Sequence, residues 1–253
     1  MKVQELAARS TDLEVKINPD LTIEMVRISD TVACACIDDF LLNPEKLVDY
    51  AGARADAFVT VERAYPGVVL PVPDDGLQAL YQFIRNEMSR IFSFCRGGID
   101  FYTQFSLATL QPEEFTLIQR LCHSDPRLAD DRRNFAALLY LFDDPAMGGT
   151  GFYRWRDVDF WHEMSERQRD DPNAGREILE ERFRMFRDPP CYMTDSNEAA
   201  ELLDVAPARF NRLIFYSGDV PHSAFIRRPE LLSPDPARGR LTLNCFASVL
   251  PKF

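Results

Sequence analysis

The sequence predicts a mainly β protein: an antiparallel sandwich or barrel in its second half, with helices from the first half covering one face. Three observations carry this. Short runs rich in β-branched and aromatic residues dominate after Gly97-Gly98. One strongly amphipathic helix precedes them. No internal repeat, low-complexity tract or linker divides the chain. At 253 residues, 46% hydrophobic and 27% charged, the chain can bury a sizeable core without staples. The expectation is one domain, 1–253: strands and supporting helices in 1–99, a β core in 100–253, and a polar insert at 157–189.

Taken in order, Thr22–Ile28 and Val32–Ile37 read as strands joined by a Ser29-Asp30 turn. Asn43 and Pro44 look like a cap and a first helical position for a helix over Glu45–Ala57. Tyr65-Pro66-Gly67 breaks the chain. Asp74 or Asp75 then caps a helix whose apolar stripe is Leu77, Leu80, Tyr81, Ile84, Met88, Ile91 and Phe92. A single stripe must lie against a sheet. Strands are expected at Phe101–Leu110, Phe115–Cys122, Asn134–Phe142 and Gly151–Trp155. The insert, Asp157 to Pro189, holds an Asp171-Pro172-Asn173 break and a charged helix over Arg176–Arg187. Strands resume at Arg212–Tyr216, His222–Ile226 and Arg240–Val249.

The formal net charge of −11 sets an acidic surface against phosphate backbones, so no nucleic-acid partner is expected. No stretch approaches the roughly 20 apolar residues of a membrane-crossing helix. The polar run Lys2–Lys16 is unlike a secretory leader, so the expected location is cytoplasmic. Cys34, Cys36, Cys95, Cys122, Cys191 and Cys245 form no C-x-x-C pair. They read as reduced thiols acting as small hydrophobes.

The chemistry concentrates around three histidines. In Cys122-His123-Ser124-Asp125, positions two apart on a strand share a face, so His123 and Asp125 can aim at one point. His222, after a Gly218-Asp219 turn, is the natural third ligand. Two imidazoles and a carboxylate on one face of an octahedron leave three positions open, which suits iron(II) enzymes that bind a co-substrate and dioxygen together. An H-x-D triplet alone is common by composition; its place at strand edges gives it weight. His162, in Phe160-Trp161-His162 of the insert, reads as a structural or lid residue.

The run Asn134–Phe142 followed by Gly148-Gly149-Thr150-Gly151-Phe152, then Leu213-Ile214-Phe215, His222 and Gly239-Arg240-Leu241-Thr242-Leu243-Asn244, resembles the 2-oxoglutarate/iron(II) dioxygenases of the prolyl-hydroxylase-like group. The resemblance covers roughly residues 100–250 and extends more weakly to Ile37-Asp38-Asp39-Phe40-Leu41. It implies a double-stranded β-helix, or jelly roll, with iron at its mouth. It implies Fe(II) on His123, Asp125 and His222, and 2-oxoglutarate paired through its far carboxylate with Arg240, whose planar fork suits that group. Thr242 shares the Arg240 strand face, and Tyr140 is a further hydroxyl candidate. Gln104, Gln119, Trp155 and Trp161 are candidates for the substrate mouth, with the insert as lid. Many members of the group carry lysine where this chain has Arg240, and the insert after Arg156 is long. Asp125 stands where related halogenating enzymes lack a carboxylate, so hydroxylation is the implied outcome. The substrate is a small molecule or a peptidyl side chain. A metal- or ligand-binding barrel without turnover, or a zinc hydrolase on the same ligands, remains open at this level.

Overall fold

The computed structural model describes residues 13–61, 64–125, 129, 131–168, 171 and 173–252. Most of the polar N-terminal run from Lys2, and Pro172 of the insert, lie outside them. The strands are β1 Glu24–Arg27, β2 Ala33–Ile37, β3 Val59–Thr60, β4 Gly67–Pro71, β5 Asp100–Ala108, β6 Arg133–Tyr140, β7 Gly149–Trp155, β8 Ala200–Ala206, β9 Leu213–Ser217, β10 His222–Phe225 and β11 Arg240–Val249. The α-helices are α1 Glu45–Gly52, α2 Gln78–Phe83, α3 Ser89–Ile91, α4 Val158–Gln168 and α5 Arg176–Arg182. The strands form an eight-stranded sheet in the order β1-β2-β9-β6-β11-β5-β4-β3 and a three-stranded sheet in the order β10-β7-β8. Every pairing between these strands is antiparallel.

Strict alternation makes the large sheet two-sided. On β11, Leu241, Leu243, Cys245, Ala247 and Val249 enter one core together with Phe135, Ala137 and Leu139 of β6 and Leu213 and Phe215 of β9. Leu47 of α1, Leu80 and Tyr81 of α2, and Ile84 and Met88 cover that face. The opposite positions, Ala136, Leu138, Tyr140, Ile214 and Tyr216, meet Phe152 and Ala206 of the small sheet. Helices, large sheet and small sheet therefore stack in three layers, each apolar face covered by the next. Phe135 and Phe215 stack at 5.3 Å in the helix-side core. The insert has its own core, where Trp161, Met164, Leu179, Phe183 and Phe186 close over Leu117 and Leu121. No helix among the described residues is long and apolar enough to cross a membrane. All six cysteines are free.

The mainly antiparallel β fold with a few helices is as expected, and several local expectations need correction. Phe115–Cys122 is not a strand. A capping box between Gln111 and Glu114 and a proline start one 3-10 turn, Pro112–Glu114, and a second follows at Ile118–Arg120. The strands β3, β4 and β8 and the helix α4 were not expected. Asn43 does not cap α1, because Pro44 takes that position. The Asn43 amide instead accepts from Lys16 N and donates to Glu14 O, both at 2.8 Å, and so pins the segment before β1. The helix it precedes ends at Gly52, followed by a 3-10 turn at Ala55–Ala57. Asp74 and Asp75 lie inside a 3-10 turn ahead of α2, and Asp74 accepts a 2.7 Å bond from the Tyr81 hydroxyl. The helix expected over Arg176–Arg187 ends at Arg182.

Candidate metal centre and its cavity

His222 opens β10 and pairs with Phe152 of β7. On its other side it bonds to His123 through both backbones, N to O at 3.0 and 2.8 Å. This one bridge, in place of the expected strand, brings the two imidazoles to a centroid separation of 4.6 Å. Asp125 N then donates to Gly218 O at 2.8 Å, folding the carboxylate back over the Gly218-Asp219 turn. A Cβ on residue 218 would lie 2.7 Å from Asp125 Oδ2, so the missing side chain makes room for the carboxylate. Ser124 Oγ donates to Asp219 O at 3.1 Å and ties the two loops together.

The three side chains converge. One ligand atom from each of His123, Asp125 and His222 lies within 4.8 Å of the others, and His222 Nε2 is 3.7 Å from Asp125 Oδ1. His222 Nδ1 sits 2.8 Å from Val220 O. A carbonyl can only accept, so Nδ1 carries the proton and Nε2 presents its lone pair to the centre. Tyr216 packs edge-on against the His222 ring at 5.0 Å.

Electrostatics push the same way. Burial, with a smaller contribution from His222, pulls His123 down to about 3, so its ring is neutral at ordinary pH. Burial raises the Asp125 carboxyl, Asp219 adds to the rise, and His222 opposes it. His123 Nδ1 and Asp125 Oδ2 are both buried without a hydrogen-bond partner. Orphaned buried polar atoms are costly. A divalent cation beside the carboxylate offsets that cost, and the nitrogen and oxygen donors suit a first-row metal such as iron(II).

Arg240 lines the same cavity. Arg240 opens β11 and is only 2% exposed. Its Nε donates to Met147 O at 3.1 Å and its Nη2 to Gly149 O at 2.6 Å. Gly148 sets up these acceptors: its φ is +81°, and a Cβ there would lie 1.8 Å from Phe225 O. The Gly-Gly turn thus serves to clamp the guanidinium from behind. Among the described residues no carboxylate pairs with Arg240. The Thr242 hydroxyl donates to Ser106 O at 3.3 Å.

Tyr65 is the residue that the sequence reading missed. Its hydroxyl is buried with no well-formed hydrogen bond, yet it lies close enough to Arg240 and Thr242 to feel both. Burial, resisted by Arg240, pushes it up to about 12. Tyr65-Pro66-Gly67 carried a signal only for a break, because a tyrosine before proline looks the same in any turn. Tyr140, expected at the co-substrate, is engaged elsewhere. Its hydroxyl lies 2.8 Å from Thr150 Oγ1 and donates to Ala206 O at 3.4 Å, joining the two sheets. Gln104 and Gln119 do line the cavity, Gln119 reaching Tyr65 O at 3.4 Å.

The cavity measures about 100 Å³, room for a small molecule and little more. Asp125 is its only carboxylate and Arg240 its only guanidinium among the described lining residues. A larger cleft of about 770 Å³ adjoins it at Ala64, Leu121 and His123 and runs under α4. Trp155, Trp161 and His162 line that cleft. The two tryptophans stack on each other at 4.8 Å, so they belong to the insert's core as well as to the cleft wall.

No curated protein matches the chain. Among solved structures it is similar to EvdO2 from Micromonospora carbonacea var. aurantiaca, with 12% identity, 86% of each chain covered and a TM-score of 0.45. It is similar also to that protein complexed with 2-oxoglutarate, at 11% identity over 90% of this chain and 94% of the other, TM-score 0.43. Apo HygX from Streptomyces hygroscopicus shares 12% identity over 88% of this chain and 84% of its own, TM-score 0.43. Likeness this loose does not bear on ligand or reaction. The model of a family of unknown function, DUF6445, matches residues 19–247, most of the chain, and the chain belongs to that family.

Proposed function

We propose that this protein is an iron(II)- and 2-oxoglutarate-dependent oxygenase that hydroxylates an amino acid, a peptidyl side chain or a small metabolite. One observation carries the reading. A buried guanidinium with no carboxylate partner among the described residues shares a small cavity with a His/Asp/His cluster. A buried cation without a counter-charge is costly, and an anionic ligand that also reaches the metal removes the cost.

His123, Asp125 and His222 would hold the metal. Bound there, iron(II) supplies the activation of dioxygen that couples decarboxylation of 2-oxoglutarate, to succinate and carbon dioxide, with oxidation of the substrate. The protein's own part is positioning. Val220 O holds His222 in the tautomer that presents Nε2. Met147 O and Gly149 O occupy one edge of the Arg240 fork, leaving the rest for the far carboxylate of the co-substrate. Tyr65 adds a hydroxyl donor beside it, while the Thr242 hydroxyl, bonded to Ser106 O, shapes the wall there. Leu121, Met193 and Tyr216 keep water from the reacting atoms. The cleft under α4 gives the substrate an approach to the His123 side.

The test is an anaerobic titration of the metal-free protein with iron(II) and then 2-oxoglutarate, followed by air. The expected result is a visible charge-transfer band that needs both additions, then succinate release. Retention of zinc with no 2-oxoglutarate binding would overturn the reading.

A further inference from the structure

Past Thr242, a second row of polar side chains runs along the inner face of the large sheet. Asn244 stands opposite Gln104, just as Thr242 stands opposite Ser106, and all four line the cavity. Ser106 Oγ accepts from Gln104 Nε2 and from Asn244 Nδ2, each at 3.3 Å. The Tyr102 hydroxyl donates to Gln104 Oε1 at 2.9 Å. In this network Asn244 Nδ2 is spent on Ser106. The group left over is Asn244 Oδ1, which is buried and has no partner among the described residues. An acceptor kept in that state costs stability and does nothing for the fold.

The position separates this acceptor from the carboxylate anchor. Four residues along β11, at ~3.4 Å per residue, put the Asn244 backbone roughly 14 Å from that of Arg240. A small dicarboxylate held between Arg240 and the metal does not extend that far. The surroundings define what does. Phe246 and Ala136 face each other across the β11–β6 pairing, as Asn244 faces Leu138, and all of them line the cavity. The Tyr102 and Phe246 rings stack at 6.2 Å. Asp125, at the metal centre, is the only carboxylate lining this cavity among the described residues. A cation at Asn244 would be buried without a counter-charge, whereas an uncharged donor carries no such penalty.

We propose that Asn244 reads the substrate: its Oδ1 accepts from an uncharged N–H or O–H group, an amide or a hydroxyl, whose apolar neighbour packs on Phe246, Ala136 and Leu138. This rests on the co-substrate occupying the Arg240 end.

Saturation-transfer NMR with four small probes tests it on the full chain, alongside a 2-oxoglutarate titration. The probes are N-methylacetamide, ethanol, N,N-dimethylacetamide (which lacks a donor) and methylammonium. Wild type is expected to bind N-methylacetamide, ethanol or both, and the difference between them tells amide from hydroxyl. Asn244→Leu, similar in volume, should weaken that binding roughly tenfold, the effect of one lost hydrogen bond. Its Tm should stay level or rise, because an unpaired acceptor has gone. Asn244→Asp should take methylammonium, which wild type should not. Both variants should bind 2-oxoglutarate as wild type does.

Equal probe binding by wild type and Asn244→Leu overturns the proposal. So does dimethylacetamide binding as well as the donors, or a failure of both donors to bind. If that variant does not fold, the preference of Asn244→Asp decides alone. Wild type that ignores 2-oxoglutarate sinks the co-substrate reading separately, whatever the probes do.

Discussion

Arg240 and His123 show how burial changes what a single charged or titratable residue can do. Arg240 is held by two backbone carbonyls and, among the described residues, by no acid, and the proposed function gives its charge to a ligand. Lysine in its place keeps the charge but loses the fork. Arg240→Lys is expected to weaken 2-oxoglutarate binding roughly 10- to 100-fold, the effect of one or two charge-assisted hydrogen bonds, with iron(II) affinity unchanged; parallel titrations of metal and co-substrate check this. His123 links the site to stability. Its folded value of about 3 lies below the ordinary 6.5. Above pH 6.5 the ring is neutral in both states and folding loses nothing. As pH falls from 6.5 toward 3 the unfolded chain takes up a proton that the folded chain refuses, so stability declines by up to ~1.4 kcal/mol per pH unit. Asp125, raised by burial, acts in the opposite sense, because its folded form gains the proton first. Urea midpoints of metal-free protein across this window should therefore fall with pH, and His123→Gln should flatten the fall.

At the scale of elements, glycine-bearing turns and one backbone bridge assemble the site. The His123–His222 bridge joins the start of β10 to a loop. The Gly218 turn then offers Asp125 a seat with no competing side chain. Gly218→Ala is expected to keep the fold, since Gly218 has no left-handed φ, and to displace the carboxylate. Metal affinity should drop about 10- to 100-fold, in the range that misplaced ligands show, while Tm moves little; calorimetry and a metal titration on the same sample read both. The Gly148 turn plays the matching part for Arg240. Two strand pairs, β5 with β11 and β6 with β11, hold the sheet wall of the cavity in register.

For the whole molecule, the large sheet separates tasks by face. Odd positions of β11 build the core under α1 and α2, and the even positions from Arg240 to Phe246 face the cavity. Stability and chemistry can therefore be changed apart. Phe135, packed on Phe215 and Phe94 in the helix-side core, is out of the cavity. Phe135→Ala should cost about 3–5 kcal/mol of unfolding free energy, seen as a lower urea midpoint, and leave iron(II) affinity of the folded protein unchanged. A loss of metal affinity equal to that of His222→Ala would show that the faces are not independent.

The sequence by itself determined what neighbours along the chain can encode. The alternation Leu241, Leu243, Cys245 against Arg240, Thr242, Asn244 reads as one two-faced strand, and it is one. The order of His123, Asp125, His222 and Arg240 pointed to one cluster and one anchor, and the fold brings all four to one cavity. Only the tertiary structure decided the rest. Ala200–Ala206 alternates too weakly to announce β8, which exists because β7 offers it an edge. Phe115–Cys122 is apolar enough for a strand, but short apolar runs do not distinguish strand from turn, and its side chains are drawn under the insert instead. Tyr140 is a hydroxyl candidate by its place on the strand, and only the packing of the two sheets brings Thr150 within reach of it. Tyr65 and the unpaired oxygen of Asn244 gave no local sign, because a missing partner is a property of everything that surrounds an atom and not of the residues beside it in the chain.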